Sequence, residues 1–145
     1  MGTKWAKRLA YALTGWCLVV LMTACGQKDP PAAAVGFEGT YAIEQRGNVT
    51  PKIEITKNKD GDGYVWQELH ADKKIVSESL PTKPLPKDEF EKMIKTTLPG
   101  SYEGIQVQRA ALVKLDPNAS LGRVTSGSGY FLVTMLGVIP VTKVS

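Results

Sequence analysis

Cysteine is scarce in this sequence, since only Cys17 and Cys25 occur among its 145 residues. Cys17 lies within an apolar stretch near the N-terminus, and Cys25 lies at the end of that stretch. If the stretch is removed, a single cysteine is left, which excludes an internal disulfide and paired thiols for zinc or for thioredoxin-like redox chemistry. We therefore expect the folded part to be stabilised by its own hydrophobic core.

The chain also lacks a concentrated positive charge, although its formal net charge is +4. Lys4, Lys7 and Arg8 supply most of that excess, and all three belong to the N-terminal stretch. Without them, fifteen basic residues stand against fourteen acidic ones, and the two signs are interleaved along the chain. No polybasic stripe results, so we expect no nucleic acid partner.

The first 26 residues have the three-part layout of a secretory signal. A cationic start is followed by an apolar stretch from roughly Leu9 to Met22, and then by Thr23, Ala24, Cys25 and Gly26. The apolar stretch is shorter than the about 20 residues that a membrane-spanning helix needs. This pattern predicts an export signal that is cleaved.

The residues around Cys25 resemble the lipobox of bacterial lipoproteins, because small Thr23 and Ala24 directly precede the cysteine. Met22 stands where leucine is commonest, which is the one departure from that pattern. The resemblance implies cleavage between Ala24 and Cys25 and acyl chains on Cys25, which anchor the protein to a membrane. Because Gly26 rather than aspartate follows, it also implies the outer membrane of the bacterial envelope, on its periplasmic face. An uncleaved signal anchor, or an ordinary signal cut nearby, is the alternative.

Three segments are predicted along the chain. Residues 1–24 form the lipoprotein signal peptide, residues 25–36 a flexible tether, and residues 37–145 a single β-rich periplasmic domain. The tether contains Pro30 and Pro31 followed by alanines, without apolar periodicity. What remains after cleavage is long enough for one small domain.

Alternating apolar and polar residues predict β-strands over most of the domain. Ile53 and Ile55 alternate with polar neighbours, and the alternation resumes after an Asp-Gly turn at residues 59–63, which predicts a hairpin. Further strands are predicted in four places, namely residues 37–45, 74–80, 104–116 and 130–144. Pro140 favours an edge or a bend, so the last segment is one bent strand or two short ones.

One short amphipathic helix is predicted between the strands. Four apolar residues fall at helical spacing, namely Phe90, Met93, Ile94 and Leu98. Asp88 and Glu91 resemble a capping box, and residues 99–100 end the pattern with Pro-Gly. The predicted fold class is mainly β (α+β): an antiparallel curved sheet or small barrel of about six or seven strands with this helix.

The acidic loop is the best candidate for a metal site in the sequence. Asn58, Asp60, Asp62 and Gly63 have the spacing of the first, third, fifth and sixth positions of a calcium-binding EF-hand loop. The twelfth position, which supplies a bidentate glutamate in such loops, is Leu69. We therefore predict a solvated hairpin turn, without metal ligands or a cofactor.

Catalytic residues are equally hard to find. His70 is the only histidine, and Glu68 and Asp72 are expected on its face of the strand, where they would tune its charge. Residues 126–129, with the sequence SGSG, are too compact for a nucleophile elbow and predict a hairpin loop. Four aromatic residues are a possible platform for glycan or peptide, although such residues more often pack in a core; they are Tyr64, Trp66, Tyr102 and Tyr130.

These observations favour a non-enzymatic, lipid-anchored envelope protein that binds a protein partner, as an accessory subunit of an envelope complex or as an immunity protein. The alternative is a lipocalin-like binder of a small molecule or lipid, in which the hairpins close around an apolar cavity. An enzyme acting on envelope polymers is the third hypothesis, and it rests on Glu68, His70 and Asp72.

Overall fold

The computed structural model describes residues 36–70 and 78–145, which form eleven strands and one helix. In chain order these are β1 Gly39–Gln45, β2 Asn48–Lys57, β3 Tyr64–Glu68, β4 Leu80–Pro81, β5 Lys83–Pro84, α1 Lys87–Ile94, β6 Tyr102–Val107, β7 Ala110–Leu115, β8 Ser120–Leu121, β9 Val124–Thr125, β10 Tyr130–Thr134 and β11 Gly137–Lys143. The prediction of a mainly β fold with one helix is confirmed, but the sheet has nine strands rather than about six or seven. The number is higher because the short strands β4 and β5 add one strand at each edge and the predicted segment 104–116 forms two strands. Seven of these strands have five or more residues, and the other four have two residues each.

Nine strands form one antiparallel sheet in the order β4-β3-β2-β1-β11-β10-β7-β6-β5. The two edge strands β4 and β5 are separated in the chain only by Thr82, so one extended segment pairs with both ends of the sheet. The amide of Thr82 donates to the Tyr64 carbonyl at 2.9 Å, and the amide of Leu85 donates to the Gly104 carbonyl at 2.9 Å. The sheet is thereby almost closed into a barrel, which leaves little free edge for pairing with another chain.

Inward-facing side chains of the long strands form the core of the barrel. The buried members of this inner cluster are Phe37, Tyr41, Ile53, Ile55, Trp66, Ile105, Leu112, Leu132 and Val141. They alternate with outward-facing residues, as the pattern around Ile53 and Ile55 predicts.

A second cluster lies outside the barrel, where α1 covers β6, β7 and β10. Its buried members are Leu85, Phe90, Leu98, Ala111, Val113, Leu115, Leu121 and Phe131. The rings of Phe90 and Tyr102 stack with their centroids 5.4 Å apart. All buried members of both clusters lie between Phe37 and Val141, so the chain from residue 26 onward contains every one of them.

The helix differs from its prediction at both ends. Pro86 occupies the N-cap and Asp88 lies in the first turn, so no capping box forms. The Glu91 carboxylate instead accepts a hydrogen bond from the amide of Leu98 at 2.7 Å, which holds the segment after the helix. The helix ends at Ile94, well before residues 99–100, because Lys95 adopts a left-handed conformation with φ 55°.

Two other predicted segments are divided by tight turns. Residues 104–116, predicted as one strand, contain the end of β6 and all of β7, with a turn at residues 108–109. Residues 130–144 form two strands, β10 and β11, which was one of the two predicted outcomes. Pro140 pairs with Phe131 of β10 on one side. On its other side β11 does not pair with β1, because that pairing involves only Thr142 and Lys143. Pro140 therefore lies at a local edge of the sheet, as predicted.

The predicted signal peptide, Ala24, Cys25, all of the tether except Gly36, and most of the strand predicted at residues 74–80 lie outside the described residues. Within residues 36–70 and 78–145, no helix has the length and apolar character needed to cross a bilayer.

Candidate binding cleft at the barrel mouth

The two ends of the barrel differ in the turns and strand ends that lie there. At one end lie the turns at residues 46–47, 108–109 and 135–136, together with the end of β3. We call this end the mouth. Strand β1 runs toward it, so Gly36 and the start of β1 lie at the opposite end.

A cleft of about 560 Å³ opens at the mouth. Its apolar residues come from six regions of the chain and are Ile43, Ile53, Trp66, Leu69, Ala110, Leu132 and Ile139. Its polar residues are Gln45, Thr50, Lys52, Glu68, His70 and Thr134. The volume falls within the range of small-molecule sites, and the lining is divided almost equally between apolar and polar residues.

A β-bulge places a cation beside this cleft. Tyr41 pairs with Ile53 and the next residue of β1, Ala42, pairs with Pro51, so Lys52 is an extra residue on β2. As a result Lys52 and Ile53, although adjacent in the sequence, both line the cleft. The Lys52 carbonyl accepts a hydrogen bond from the amide of Leu69 at 2.8 Å, which ties the bulge to the chain after β3.

Trp66 is the largest side chain in contact with the cleft, and only 1 % of it is exposed. It lies in the middle of β3, opposite Ile55 on one side and Leu80 on the other. Its indole Nε1–H is buried and has no hydrogen-bond acceptor in the part of the chain that the structure describes. A buried indole N–H usually has a partner, so this donor is unusual.

The barrel is filled at the end opposite the mouth. The ring of Phe37 contacts the rings of Tyr64 and Tyr130 edge-to-face, with centroids 6.3 Å and 6.4 Å away. The Tyr41 hydroxyl donates to the Phe37 carbonyl at 2.8 Å. Burial, and after it the neighbouring Tyr130, raises the pKa of Tyr41 far above its usual range. A ligand therefore has access to the interior from the mouth.

The structure brings together some of the residues singled out in the sequence. Glu68 and His70 both line the cleft and are both exposed, whereas Asp72 lies outside the described residues. Of the four aromatic residues, Trp66 borders the cleft, but Tyr102 stacks beneath the helix, so the four do not form one platform.

The acidic loop lies far from the mouth, at the other end of the β2–β3 hairpin. Its Asn58 side chain accepts a hydrogen bond from the amide of Asp60 at 3.2 Å, as in an ordinary polar turn. Among residues 36–70 and 78–145, no group of three or more histidine, cysteine, aspartate or glutamate side chains is placed to hold a metal ion.

Sequence reasoning offered an apolar cavity as an alternative but did not identify the residues that line this cleft, because they come from strands that are distant in the sequence. It also missed an exposed apolar pair beside the mouth: Met135 is 84 % exposed and Leu136 is 100 % exposed, at the tip of the β10–β11 hairpin. The sequence did contain an indication of this exposed pair, because two consecutive apolar residues directly precede Gly137, a residue type common in turns.

Comparison of this chain with family models, curated proteins and solved structures finds no match.

Proposed function

We propose that this protein is a lipid-anchored component of the bacterial envelope that binds a small, largely apolar ligand in the mouth of its barrel, without catalysing a reaction. The cleft of about 560 Å³ is the observation that carries the binding proposal. A cleft of this volume, open at the mouth and partly lined by apolar side chains, supports the small-molecule alternative over a protein partner.

The position of the N-terminal end of the domain supports the anchored arrangement. Gly36 lies at the end of the barrel opposite the mouth, so lipid on Cys25 would attach the domain by that opposite end. The eleven residues from 26 to 36 can extend over about 36 Å at roughly 3.3 Å per residue. Such a tether allows the mouth to face away from the anchoring membrane.

The non-enzymatic part of the proposal rests on the polar residues of the cleft. Glu68 and His70 are exposed at its border, where water competes for both side chains. Acid–base catalysis needs groups held in a fixed geometry around a reacting atom, preferably away from bulk water. The exposed position of Glu68 and His70 at the border therefore favours ligand binding over acid–base catalysis.

A matched pair of tryptophan substitutions tests whether the cleft binds apolar molecules. Thr50 lines the cleft, whereas its neighbour Val49 belongs to the opposite face of β2 and is 55 % exposed. Thr50→Trp should fill the mouth and weaken binding of the fluorescent probe N-phenyl-1-naphthylamine at least about tenfold, a loss of about 1.4 kcal/mol. Titration of the probe against the chain from residue 26 onward measures this affinity.

Val49→Trp is the control, because it adds the same side chain to the same strand outside the cleft. Its affinity for the probe should stay within about twofold of the wild-type value. If the wild-type chain does not bind the probe, or if Thr50→Trp and Val49→Trp bind it equally well, the ligand-binding proposal is wrong.

A protein partner is a second candidate function, and the exposed pair Met135 and Leu136 favours it. Apolar side chains at a hairpin tip are well placed to insert into a pocket of another protein. Replacing both by serine should abolish crosslinking of the anchored chain to that partner, while Val144→Ser, a substitution of an exposed residue at the other end of the barrel, should not. Crosslinking that persists in the double variant would exclude this tip as the contact.

A further inference from the structure

The buried indole of Trp66 indicates what kind of ligand the cleft accepts. An indole N–H can only donate a hydrogen bond, and the Nε1 atom of Trp66 has no acceptor among the described residues. Leaving a buried donor unpaired destabilises a protein, so an acceptor supplied by a ligand would form a hydrogen bond that the described residues do not provide. Of the residues that line the cleft, Trp66 is the one with such an atom in the described part of the chain.

The surroundings of Trp66 favour an acceptor without charge. Half of the side chains that line the cleft with it are aliphatic, including Ile43, Ile53 and Leu132. The charged or titratable residues of the cleft are Lys52, Glu68 and His70, and all three are exposed at its border. A carboxylate or phosphate buried against Trp66 would lose its hydration and would lie deeper than Lys52, which is at the exposed border, so its burial is unfavourable.

The size of the cleft limits the ligand. A volume of about 560 Å³ corresponds to roughly eighteen non-hydrogen atoms, if each takes about the 30 Å³ that one water occupies in the liquid. Since Trp66 is only 1 % exposed, an acceptor can reach Nε1 only if neighbouring side chains move aside.

We infer that the ligand is an uncharged apolar molecule with a carbonyl oxygen, of a ketone, ester or amide, at its buried end, and that this oxygen accepts a hydrogen bond from Trp66 Nε1. The inference rests on the proposed function, because it specifies the ligand of the same cleft. Its apolar body lies against the aliphatic side chains, and its outer end lies among the polar residues of the border.

Two small probes of nearly the same shape test the inference. Acetophenone has a carbonyl oxygen where cumene has a methyl group, so the pair isolates the acceptor. In the chain from residue 26 onward Trp66 is the only tryptophan, and its indole N–H gives a single ¹H–¹⁵N resonance. Acetophenone should shift this resonance downfield, as a new hydrogen bond does, and cumene should not.

Trp66→Phe removes the donor and keeps an aromatic ring. It should lower the affinity for acetophenone about threefold to tenfold, as expected for one neutral hydrogen bond, and leave the affinity for cumene within about twofold. Displacement of N-phenyl-1-naphthylamine measures both affinities. If Trp66→Phe does not fold, the comparison of the two probes on the wild-type chain decides the question alone.

The possible results separate the two proposals. If neither acetophenone nor cumene binds and N-phenyl-1-naphthylamine does not bind, the cleft is not a binding site and the proposed function fails. If both probes bind equally well and the Trp66 resonance does not move with acetophenone, the cleft binds apolar molecules without using this donor. That second result overturns the inference and leaves the proposed function standing.

Discussion

Replacing Cys25 by alanine is expected to abolish lipid attachment and to remove the protein from the outer-membrane fraction of a Gram-negative host. The thiol is the group that a lipobox presents for acylation, and alanine cannot be acylated there. Each buried methylene contributes about 0.8 kcal/mol to membrane binding, so two or three acyl chains hold a protein stably and their loss is decisive. Intact mass and membrane fractionation measure the effect: the wild type should lose residues 1–24 and gain acyl mass.

Cys17→Ala is the matched control for this experiment. It makes the same change within the apolar stretch of the predicted signal, eight residues before the predicted acylation site. Processing and membrane association should match those of the wild type. If the wild type and Cys25→Ala both keep residues 1–24, or both are soluble in the periplasm, the lipoprotein proposal is wrong and Cys25 is a free thiol.

Phe90→Ala should destabilise the domain by about 3–5 kcal/mol, the usual cost of truncating a buried phenylalanine. Phe90 is 0 % exposed and is the buried residue of α1, so its ring fixes the helix to the outer face of the barrel. Its loss would also remove the stacking partner of Tyr102. Small domains have total stabilities of about 5–15 kcal/mol, so this change could remove half of the stability. Urea denaturation of the chain from residue 26 onward measures the change.

Met93→Ala is the control on the same helix. Met93 is 55 % exposed, and alanine has the higher helix propensity, so the free energy of unfolding should change by less than about 0.5 kcal/mol. Equal effects of Phe90→Ala and Met93→Ala would contradict the packing of α1 against the barrel through Phe90.

The local patterns of the sequence predicted most of the long strands. Ile53 and Ile55 alternate with polar residues and are buried on one face of β2, and the Asp-Gly loop at residues 59–63 does connect β2 to β3. These predictions succeed because side chains alternate across a strand whatever the rest of the fold is. The helix was also found from its spacing, although Met93 belongs to its exposed side.

Features that depend on contacts distant in sequence were not predictable in the same way. The bulge that brings Lys52 to the cleft depends on the register between β1 and β2, and a shift of one residue there changes which side chains face inward. Residues 80–84 nearly close the sheet because one end of this short segment pairs with β3 and the other end pairs with β6. The strand patterns themselves are equally compatible with an open sheet and with a barrel.

The sequence by itself determined the mainly β class and the position of α1, because both follow from residue type or local periodicity. Tertiary structure decided that the barrel is filled by aromatic side chains around Phe37 and open at the other end. It also decided that Trp66 is buried beside that opening with an unpaired donor in the described part of the chain. The physical reason is that a cavity is the space left between strands, and its shape depends on how all of them pack together.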